Sequence, residues 1–471
     1  MSLPISIPRA TEIKQLYEEP FAFLARNRSN LGDLFVIRDD GPIFSSAPDC
    51  SGAIAVFGPA NHRAALSDID LFGMPVSGAQ SLSLPRELVN LNCSLQSMRG
   101  EQHDENQRLL IRMLSERGID DQRTAVSAGL EAFARGWHPG KRIGLLDEMR
   151  QLTLQVSTRL LLGDQYVESA ELASLIQVYF QLRREATSPL SAAGETMRQE
   201  LIAVGTSLDD ALRRYVHWCR RRASASSDGL LAILAAQEVE SGRQLSEDEM
   251  IAHSNILFVS SNEPVAIALS WILLILSQLA DLRRALRGEL DQASFDDGLP
   301  SSSQLERLTL LDSIINESLR LFPPNALMVR VTTGPASLAG VMLPQRCELV
   351  LCPFLAHREA ERFRNPNAFL PSRWSATRPS PFEYFPFGAG GHSCVGRHLA
   401  TYMIKAALAM LIPRFELVLA GDQEIDWRIH IQFMPRNDPA MTVLKAGVST
   451  AGAGRLLGPV GDLVIMDACG P

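Results

Sequence analysis

The stretch of this sequence best suited to chemistry is a glycine-rich loop with one cysteine, residues 386–396, Pro-Phe-Gly-Ala-Gly-Gly-His-Ser-Cys-Val-Gly. An apolar run from Leu399 to Ile412 follows it and predicts a helix that Pro413 ends. Cys394 would lie near the N-terminus of that helix, where unpaired N–H groups and the helix dipole favour a thiolate. Glycines lack a Cβ, so the loop backbone can lie against a large flat partner. This combination predicts a thiolate ligand for a haem iron, a ligand that favours O–O cleavage.

Other uses of the same loop fit its residues less well. A zinc site would need a second cysteine two to four residues away, and His392 and His398 alone do not make one. A serine-hydrolase turn has one residue fewer between Ser393 and Gly396. A dinucleotide-binding loop needs glycine at position 393 after a strand. The structural alternative is a helix cap around a buried cysteine.

Length and composition restrict the class of protein. The chain has 471 residues, of which 46% are hydrophobic and 21% charged, and its net charge is −8. These values are ordinary for a soluble globular protein and argue against a nucleic-acid-binding protein. Seven scattered cysteines predict a reducing compartment without disulfides. The first residues carry no long apolar segment, so we expect a cytoplasmic protein without a membrane anchor.

A long apolar helix with a proline in its middle is a second feature of the sequence. The sequence Ser-Glu-Asp-Glu has the form of a capping box and predicts that this helix starts at Ser246. Ser260, Ser261, Glu263 and Pro264 stand in its middle. Proline has no N–H, so it should leave the carbonyl of Ser260 without its helical donor and kink the helix. The freed carbonyl and the serine hydroxyls could anchor water. The alternative is that Pro264 only shapes a pocket.

Together these motifs resemble those of the cytochrome P450 family, the haem-thiolate monooxygenases, in their soluble bacterial form. The resemblance runs from about residue 30 to residue 445. It implies a mainly α-helical (α+β) fold with a small β-rich side, and haem b held through Cys394 as the iron ligand. We expect this domain to cover residues 1–446, followed by a Gly/Ala-rich extension of unknown role, 447–471. The loop positions that match the family's haem-binding signature are Phe387, Gly388, Gly390, His392, Cys394 and Gly396.

The resemblance also implies which side chains would bind the haem propionates. His392 in the loop, His103 in a helix and Arg330 in a strand would each contact a propionate. Relatives carry an arginine four residues after the histidine, whereas this chain has Gln107 there and Arg108 one place later.

In the long helix, relatives have Ala-Gly where this chain has Ser260 and Ser261, and threonine where it has Pro264. That threonine normally holds a water that delivers protons to iron-bound oxygen. Glu263 matches the family's acid at its position. The resemblance therefore implies a catalytic role for this segment and identifies Pro264 as its main departure.

A further motif implies structural support. Glu317 and Arg320 are three residues apart on a predicted helix, a spacing that lets them pair. By resemblance this is the family's Glu-x-x-Arg motif, which pairs with a later arginine, here Arg373. The three residues would form a structural lock behind the cysteine loop and would not act as catalysts.

The resemblance implies an oxidoreductase that oxidises a small organic molecule, and we expect a tailoring step in bacterial natural-product biosynthesis. Electrons would come from separate ferredoxin and reductase partners, because the sequence contains no flavin or iron–sulfur motif. The missing threonine leaves an alternative: an enzyme that uses peroxide, or an isomerase, dehydratase or cyclase whose substrate carries an activated N–O or O–O bond. A second alternative is a non-catalytic haem sensor or carrier.

Overall fold

Helices make up most of the protein in the computed structural model, which describes residues 3–45, 49–75, 85–91, 93–186, 195–222, 229–293, 300–429, 432–448 and 453–466. Two short 3-10 helices, Pro371–Ser375 and Gly390–His392, lie on either side of the start of the cysteine loop. The α-helices are α1 (Lys14–Glu18), α2 (Pro20–Leu31), α3 (Pro59–Ser67), α4 (Arg86–Asn90), α5 (Gly100–Met113), α6 (Glu116–Asp120), α7 (Arg123–Ala134), α8 (Leu145–Leu162), α9 (Ser169–Ala186), α10 (Glu195–Arg222), α11 (Leu230–Ala235), α12 (Glu247–Gln278), α13 (Ala280–Gln292), α14 (Ser302–Leu305), α15 (Thr309–Leu321), α16 (Pro353–Ala356), α17 (Arg397–Arg414) and α18 (Pro459–Asp462).

The strands form small sheets beside the helices. The strands are β1 (Leu34–Arg38), β2 (Gly52–Val56), β3 (Phe72–Gly73), β4 (Arg142–Gly144), β5 (Met328–Thr332), β6 (Ala336–Leu338), β7 (Val341–Leu343), β8 (Cys347–Leu351), β9 (Phe415–Leu419), β10 (Gln423–Glu424), β11 (Trp427–Ile429), β12 (Phe433–Pro435), β13 (Ala440–Lys445) and β14 (Leu456–Leu457). The largest sheet has the order β1-β2-β8-β5-β3, with β2 and β8 parallel and the other pairs antiparallel. A second sheet has the order β4-β13-β9.

Helix α12 is the central element of the core. It begins with the predicted capping box: the Ser246 side chain accepts from the Glu249 amide, and the Glu249 carboxylate accepts from the Ser246 amide. The helix continues through Pro264 without interruption. By length and composition α12 could cross a membrane, but 78% of its apolar stretch is buried inside the protein. Its apolar character is therefore that of a core helix.

Helix α17 follows the cysteine loop as predicted, with one difference at its end. Pro413 lies within the helix, which ends at Arg414, so the prediction that Pro413 stops it is wrong by two residues. A proline near the last turn removes only one helical hydrogen bond, and the backbone can keep its helical angles there. Its side chains from Tyr402 to Ile412 are buried against the core.

The described part of the C-terminal segment, residues 453–466, packs onto the rest of the chain. Strand β14 pairs in parallel with β10, and Val460 is buried. The Ile465 amide donates to the Asn367 carbonyl at 2.8 Å, a contact close to the Arg373 region. The domain boundary at residue 446 stays a prediction.

Candidate functional site

The cysteine loop is shaped by main-chain hydrogen bonds and by left-handed glycines. The Cys394 amide donates to the Phe387 carbonyl at 2.9 Å. Gly388 and Gly390 have φ angles of 71° and 69°, which L side chains rarely adopt. A Cβ added at Gly390 would lie 1.9 Å from the Leu66 carbonyl oxygen, so this position requires glycine. The loop therefore presents Cys394 shortly before α17 with a tightly determined backbone.

The surroundings of Cys394 act on the pKa of its thiol in two directions. The side chain is exposed, yet the surrounding loop still desolvates the sulfur, and this desolvation raises the pKa of the thiol. The Gly396 amide and the positive charge of Arg397 oppose that effect without reversing it. The expected preference of this cysteine for the thiolate form stays a prediction, since desolvation and the nearby dipoles act on its pKa in opposite directions. A bound metal ion is the kind of charge that deprotonates a coordinating thiol.

The residues predicted to bind the propionates lie close together. The rings of His103 and His392 meet edge to face with centroids 5.1 Å apart. Arg330, His103 and Arg99 all lie near His392, and burial, aided by these three residues, lowers the pKa of His392 to about 4. Arg330 itself is only 1% exposed, and burial lowers its pKa to about 10. The cluster is positively charged and poorly solvated.

Several donors of this cluster have no partner within the described residues. Nη1 of Arg330 donates to the Val329 carbonyl and contacts the Met74 sulfur, but its Nε and Nη2 are buried without a hydrogen bond. Nε2 of His103 is also buried without one, while its Nδ1 lies 3.2 Å from the Asp104 carboxylate. Buried unpaired donors of this kind call for an acceptor, and the charge of the guanidinium favours an anionic one. The two carboxylates of haem b fit this requirement.

The position where relatives carry an arginine has a different use here. Nε2 of Gln107 donates to the Gly391 carbonyl at 2.5 Å, so it supports the cysteine loop from α5. Arg108 points elsewhere and pairs with Glu240 at 3.0 Å, with both side chains about half exposed.

The candidate catalytic residues of α12 separate into two groups. Ser260 is exposed and Pro264 half-buried, and their spacing of four places them on one helix face. Ser261 instead faces α8: its hydroxyl donates to the Ser157 hydroxyl at 3.0 Å and to the Phe258 carbonyl at 3.1 Å. Ser261 is therefore a contact between helices, while the carbonyl of Ser260 is the one that Pro264 leaves without a helical donor.

Glu263 also turns toward α8. Its carboxylate binds the Arg150 guanidinium, with Nη2 at 2.6 Å and Nε at 3.1 and 3.2 Å, and Asp147 binds Nη1 of the same arginine at 3.1 Å. Although burial opposes it, the Glu263 carboxylate raises the pKa of Arg150. Arg150 is one of the functional candidates that sequence reasoning missed.

Three polar residues of α8 form a stripe that could have been recognised from their spacing. Arg150, Thr153 and Ser157 recur at intervals of three and four in a helix with many buried apolar side chains. Thr153 donates to the Asn262 side chain at 2.5 Å, between the contacts of Ser261 and Glu263. In the sequence, these polar residues recur with helical spacing among apolar ones. Only the structure shows that the face of α8 that carries them packs against the middle of α12.

Glu317 stands at the centre of a buried network that includes both predicted arginines. Its carboxylate accepts from Arg320 at 2.8 and 3.0 Å and from Nε of Arg373 at 2.9 and 3.1 Å. Nε1 of Trp374 and the Leu370 amide complete its acceptor capacity. Glu317 and Arg320 are fully buried.

The network reaches the cysteine loop through one histidine. Arg320 donates to the His357 carbonyl at 2.9 Å, and Nε2 of His357 accepts from the Phe385 amide at 3.0 Å. Phe385 directly precedes the loop. The contacts place the predicted lock next to the loop's entrance.

One cavity bordered by described residues lies apart from these groups. It measures about 500 Å³ near the start of α12, and none of the predicted site residues lines it. The described residues also contain no group of three His, Cys, Asp or Glu side chains that could hold a metal ion without a further cofactor. The residues that line the cavity are Cys93, Met98, Gln102, Arg243, Ser246, Asp248 and Glu249.

Comparison with known sequences gives a family match. The family model for cytochrome P450 matches residues 93–441. Pentalenene oxygenase of Streptomyces avermitilis is 28% identical over 337 residues, which cover 69% of this chain and 73% of that protein. Cyclooctat-9-en-7-ol 5-monooxygenase of Streptomyces melanosporofaciens is 26% identical over 430 residues, 88% of each chain.

Solved structures show the same fold at lower identity. The haem domain of cytochrome P450DA superposes with a TM-score of 0.79 at 19% identity, covering 95% of this chain and 99% of that one. A retinoic-acid-bound cyanobacterial CYP120A1 gives 0.77 at 20% identity, covering 94% and 100%. These matches confirm the predicted α+β fold, and the family match confirms the haem b cofactor. The chain belongs to the cytochrome P450 family and is a haem-containing oxidoreductase.

Proposed function

We propose that this chain is a monooxygenase that oxidises a small, largely apolar molecule in bacterial natural-product biosynthesis, with Cys394 as the ligand of haem iron. The observation that carries the proposal is the set of unpaired buried donors on Arg330 and His103 beside the Cys394 loop. Such donors are costly without an anion, and haem b supplies two carboxylates. Haem b, when bound through a thiolate, supplies the activation of dioxygen.

The loop residues hold the sulfur in place. The Cys394 amide is held by the Phe387 carbonyl, and a Cβ added at Gly396 would come within 3.9 Å of the Cys394 sulfur. A Cβ added at Gly388 would meet Met328 at 3.5 Å. We assign Phe387, Gly388 and Gly396 to shaping the surface against which the cofactor lies. His392, His103 and Arg330 would bind its carboxylates.

We assign the supply of protons to residues in the middle of α12. The Ser260 carbonyl, which lacks a helical donor, and the exposed Ser260 hydroxyl are acceptors that can hold a water. Glu263 and Arg150 form a charged pair that leads from the half-buried helix face to Asp147, which is 69% exposed. We assign Glu263 to proton supply, and Ser261 to holding α12 against α8.

The substrate class is inferred from relatives and from the helix. Two matched relatives are, by name, an oxygenase of pentalenene and a monooxygenase of cyclooctat-9-en-7-ol. The residues before Ser260 include half-buried Ile256 and Val259, which suit an apolar molecule. We therefore propose an apolar ring compound as substrate, separate ferredoxin and reductase proteins as electron donors, and a cytoplasmic location.

A second candidate function rests on Pro264. With no hydroxyl at this position, the chain lacks one ordinary means of holding a water for proton transfer. An enzyme that takes its oxygen from peroxide, or that rearranges a substrate with an activated N–O or O–O bond, has no need of that proton supply.

The experiment begins with the purified holoprotein. Reduced protein under carbon monoxide should show the red-shifted Soret band of thiolate ligation, and Cys394→Ala should abolish that band. Cys93→Ala is the matched control, because Cys93 is an exposed cysteine that lines the separate cavity, and its variant should keep the band. Turnover of apolar ring compounds with ferredoxin, reductase and dioxygen is then compared with turnover under hydrogen peroxide. A normal band in Cys394→Ala would overturn the ligand assignment.

A further inference from the structure

Helix α5 presents three residues to the cysteine loop at regular spacing. Arg99 is the N-cap residue directly before α5, and its carbonyl accepts from the His103 amide at 3.4 Å. Arg99, His103 and Gln107 are separated by four residues each, so they lie on one helix face. His103 meets His392, and Gln107 meets Gly391, both within the loop. The face that carries Arg99 is therefore the face that contacts the loop.

The other candidates for a propionate-binding arginine on this helix are excluded by their contacts. The amide of Gln107 is used by the Gly391 carbonyl. The guanidinium of Arg108 is used by Glu240 at a half-exposed position. Neither side chain is free to bind a carboxylate beside His392.

Arg99 lies beside the cationic cluster. Its Nη2 is 3.2 Å from the point where a Cβ at Gly73 would stand, and Gly73 pairs with Val331, the residue after Arg330. Its positive charge acts on His392, where it helps to lower the pKa of the imidazole. Within the described residues the Arg99 guanidinium has no carboxylate partner. An exposed guanidinium without a partner next to buried, unpaired donors of Arg330 indicates a shared anionic ligand.

We propose that Arg99 binds one carboxylate of haem b together with His103 and Arg330, and so replaces the arginine that Gln107 displaced from α5. The proposal rests on the proposed function, because it takes the haem to be seated on the Cys394 loop. A guanidinium matches a carboxylate in planar geometry and keeps its charge at all working pH values.

The test measures how fast the holoprotein releases haem to an excess of apomyoglobin. Arg99→Gln keeps a polar side chain with an N–H donor but removes the charge and shortens the side chain, and we expect release about tenfold faster, the effect of losing one charge-assisted hydrogen bond. Arg99→Lys keeps the charge and should stay within about threefold of the native rate. Raising salt should accelerate release from the native protein more than from Arg99→Gln, because salt screens the exposed pair.

Arg108→Ala is the matched control, since it removes a neighbouring arginine of the same helix that pairs with Glu240, and its release rate should equal the native one. Equal release rates for Arg99→Gln and Arg108→Ala would overturn the proposal. The red-shifted carbon monoxide band separates this failure from failure of the proposed function. If Arg99→Gln keeps the band and releases haem at the native rate, only the role of Arg99 is rejected. If the native protein itself lacks the band, the haem-thiolate assignment is rejected.

Discussion

Arg150 and Glu263 join helices α8 and α12 through an ion pair in which Nη2 of the arginine lies 2.6 Å from the carboxylate. The pair stands one residue before Pro264, where α12 loses one of its own hydrogen bonds. Thr153 and Ser157 add contacts to Asn262 and Ser261. We call this interface between α8 and α12 the seam. The seam thus supplies interhelical contacts at the turn where the helix is weakened.

Glu263→Gln should lower the free energy of unfolding by about 1–2 kcal/mol, because the half-buried Arg150 loses its main partner. In a double-mutant cycle with Arg150→Ala, the two effects should be strongly non-additive. The measurement is urea unfolding of the holoprotein. Glu131→Gln serves as control, since it breaks a comparable pair with Arg414 at an exposed site and should cost under about 0.5 kcal/mol. Equal losses for both variants would contradict a special role for the seam.

Pro264→Ala and Pro264→Thr should separate the backbone effect of proline from the lack of a hydroxyl. Both variants restore an N–H, so each should raise the free energy of unfolding by up to about 3 kcal/mol. Only threonine adds a hydroxyl, so only Pro264→Thr should raise the fraction of reducing electrons that appear in product. An equal gain in both variants would assign the deficit to the backbone. No gain in either, with efficient native coupling, would exclude the peroxide alternative.

Arg373→Ala should weaken haem retention more than substrate affinity. Glu317 is fully buried and would lose one of its two arginines, which we expect to cost about 3 kcal/mol of stability. The measurements are haem release to apomyoglobin and substrate titration by spin-state change. Arg362→Ala is the control, because its pair with Glu383 is partly exposed. A larger effect on substrate affinity than on haem release would contradict the lock.

The burial of His253 predicts that the folded protein loses stability in mild acid. It is fully buried on α12, its Nε2 lies 2.8 Å from Asn106, and burial lowers its pKa to about 4 against a partial opposing effect of Glu249. Between the unfolded value of about 6.5 and the folded value, the unfolded chain binds a proton that the folded protein does not, so stability falls as pH falls. The contribution of this residue should be about 2 kcal/mol between neutral pH and about pH 5.

His253→Gln removes the titrating group while keeping a side chain that can bond to Asn106. Its unfolding free energy should therefore depend less steeply on pH than that of the native protein over the same interval. The check is chemical denaturation at matched pH values, and an unchanged slope would show that His253 does not contribute to the acid sensitivity.

The features that local chemistry specifies could be predicted from the sequence. The capping box at Ser246 depends on residues within one helical turn, and α12 begins there as expected. The glycine pattern before Cys394 follows from backbone angles that only glycine tolerates, and the apolar run after it forms α17. Glu317 and Arg320 share a helix face by spacing alone.

Tertiary structure decided which partner each polar side chain meets. Arg150 and Glu263 are more than a hundred residues apart, and no local pattern orients one toward the other. The pKa of the Cys394 thiol depends on desolvation by the surrounding chain, which exists only after the chain has packed. Gln107 stands where relatives carry an arginine, and only the packing of α5 against the loop brings its side chain to the Gly391 carbonyl. Local hydrogen bonding is set by sequence spacing, whereas burial and long-range pairing exist only once the helices have packed.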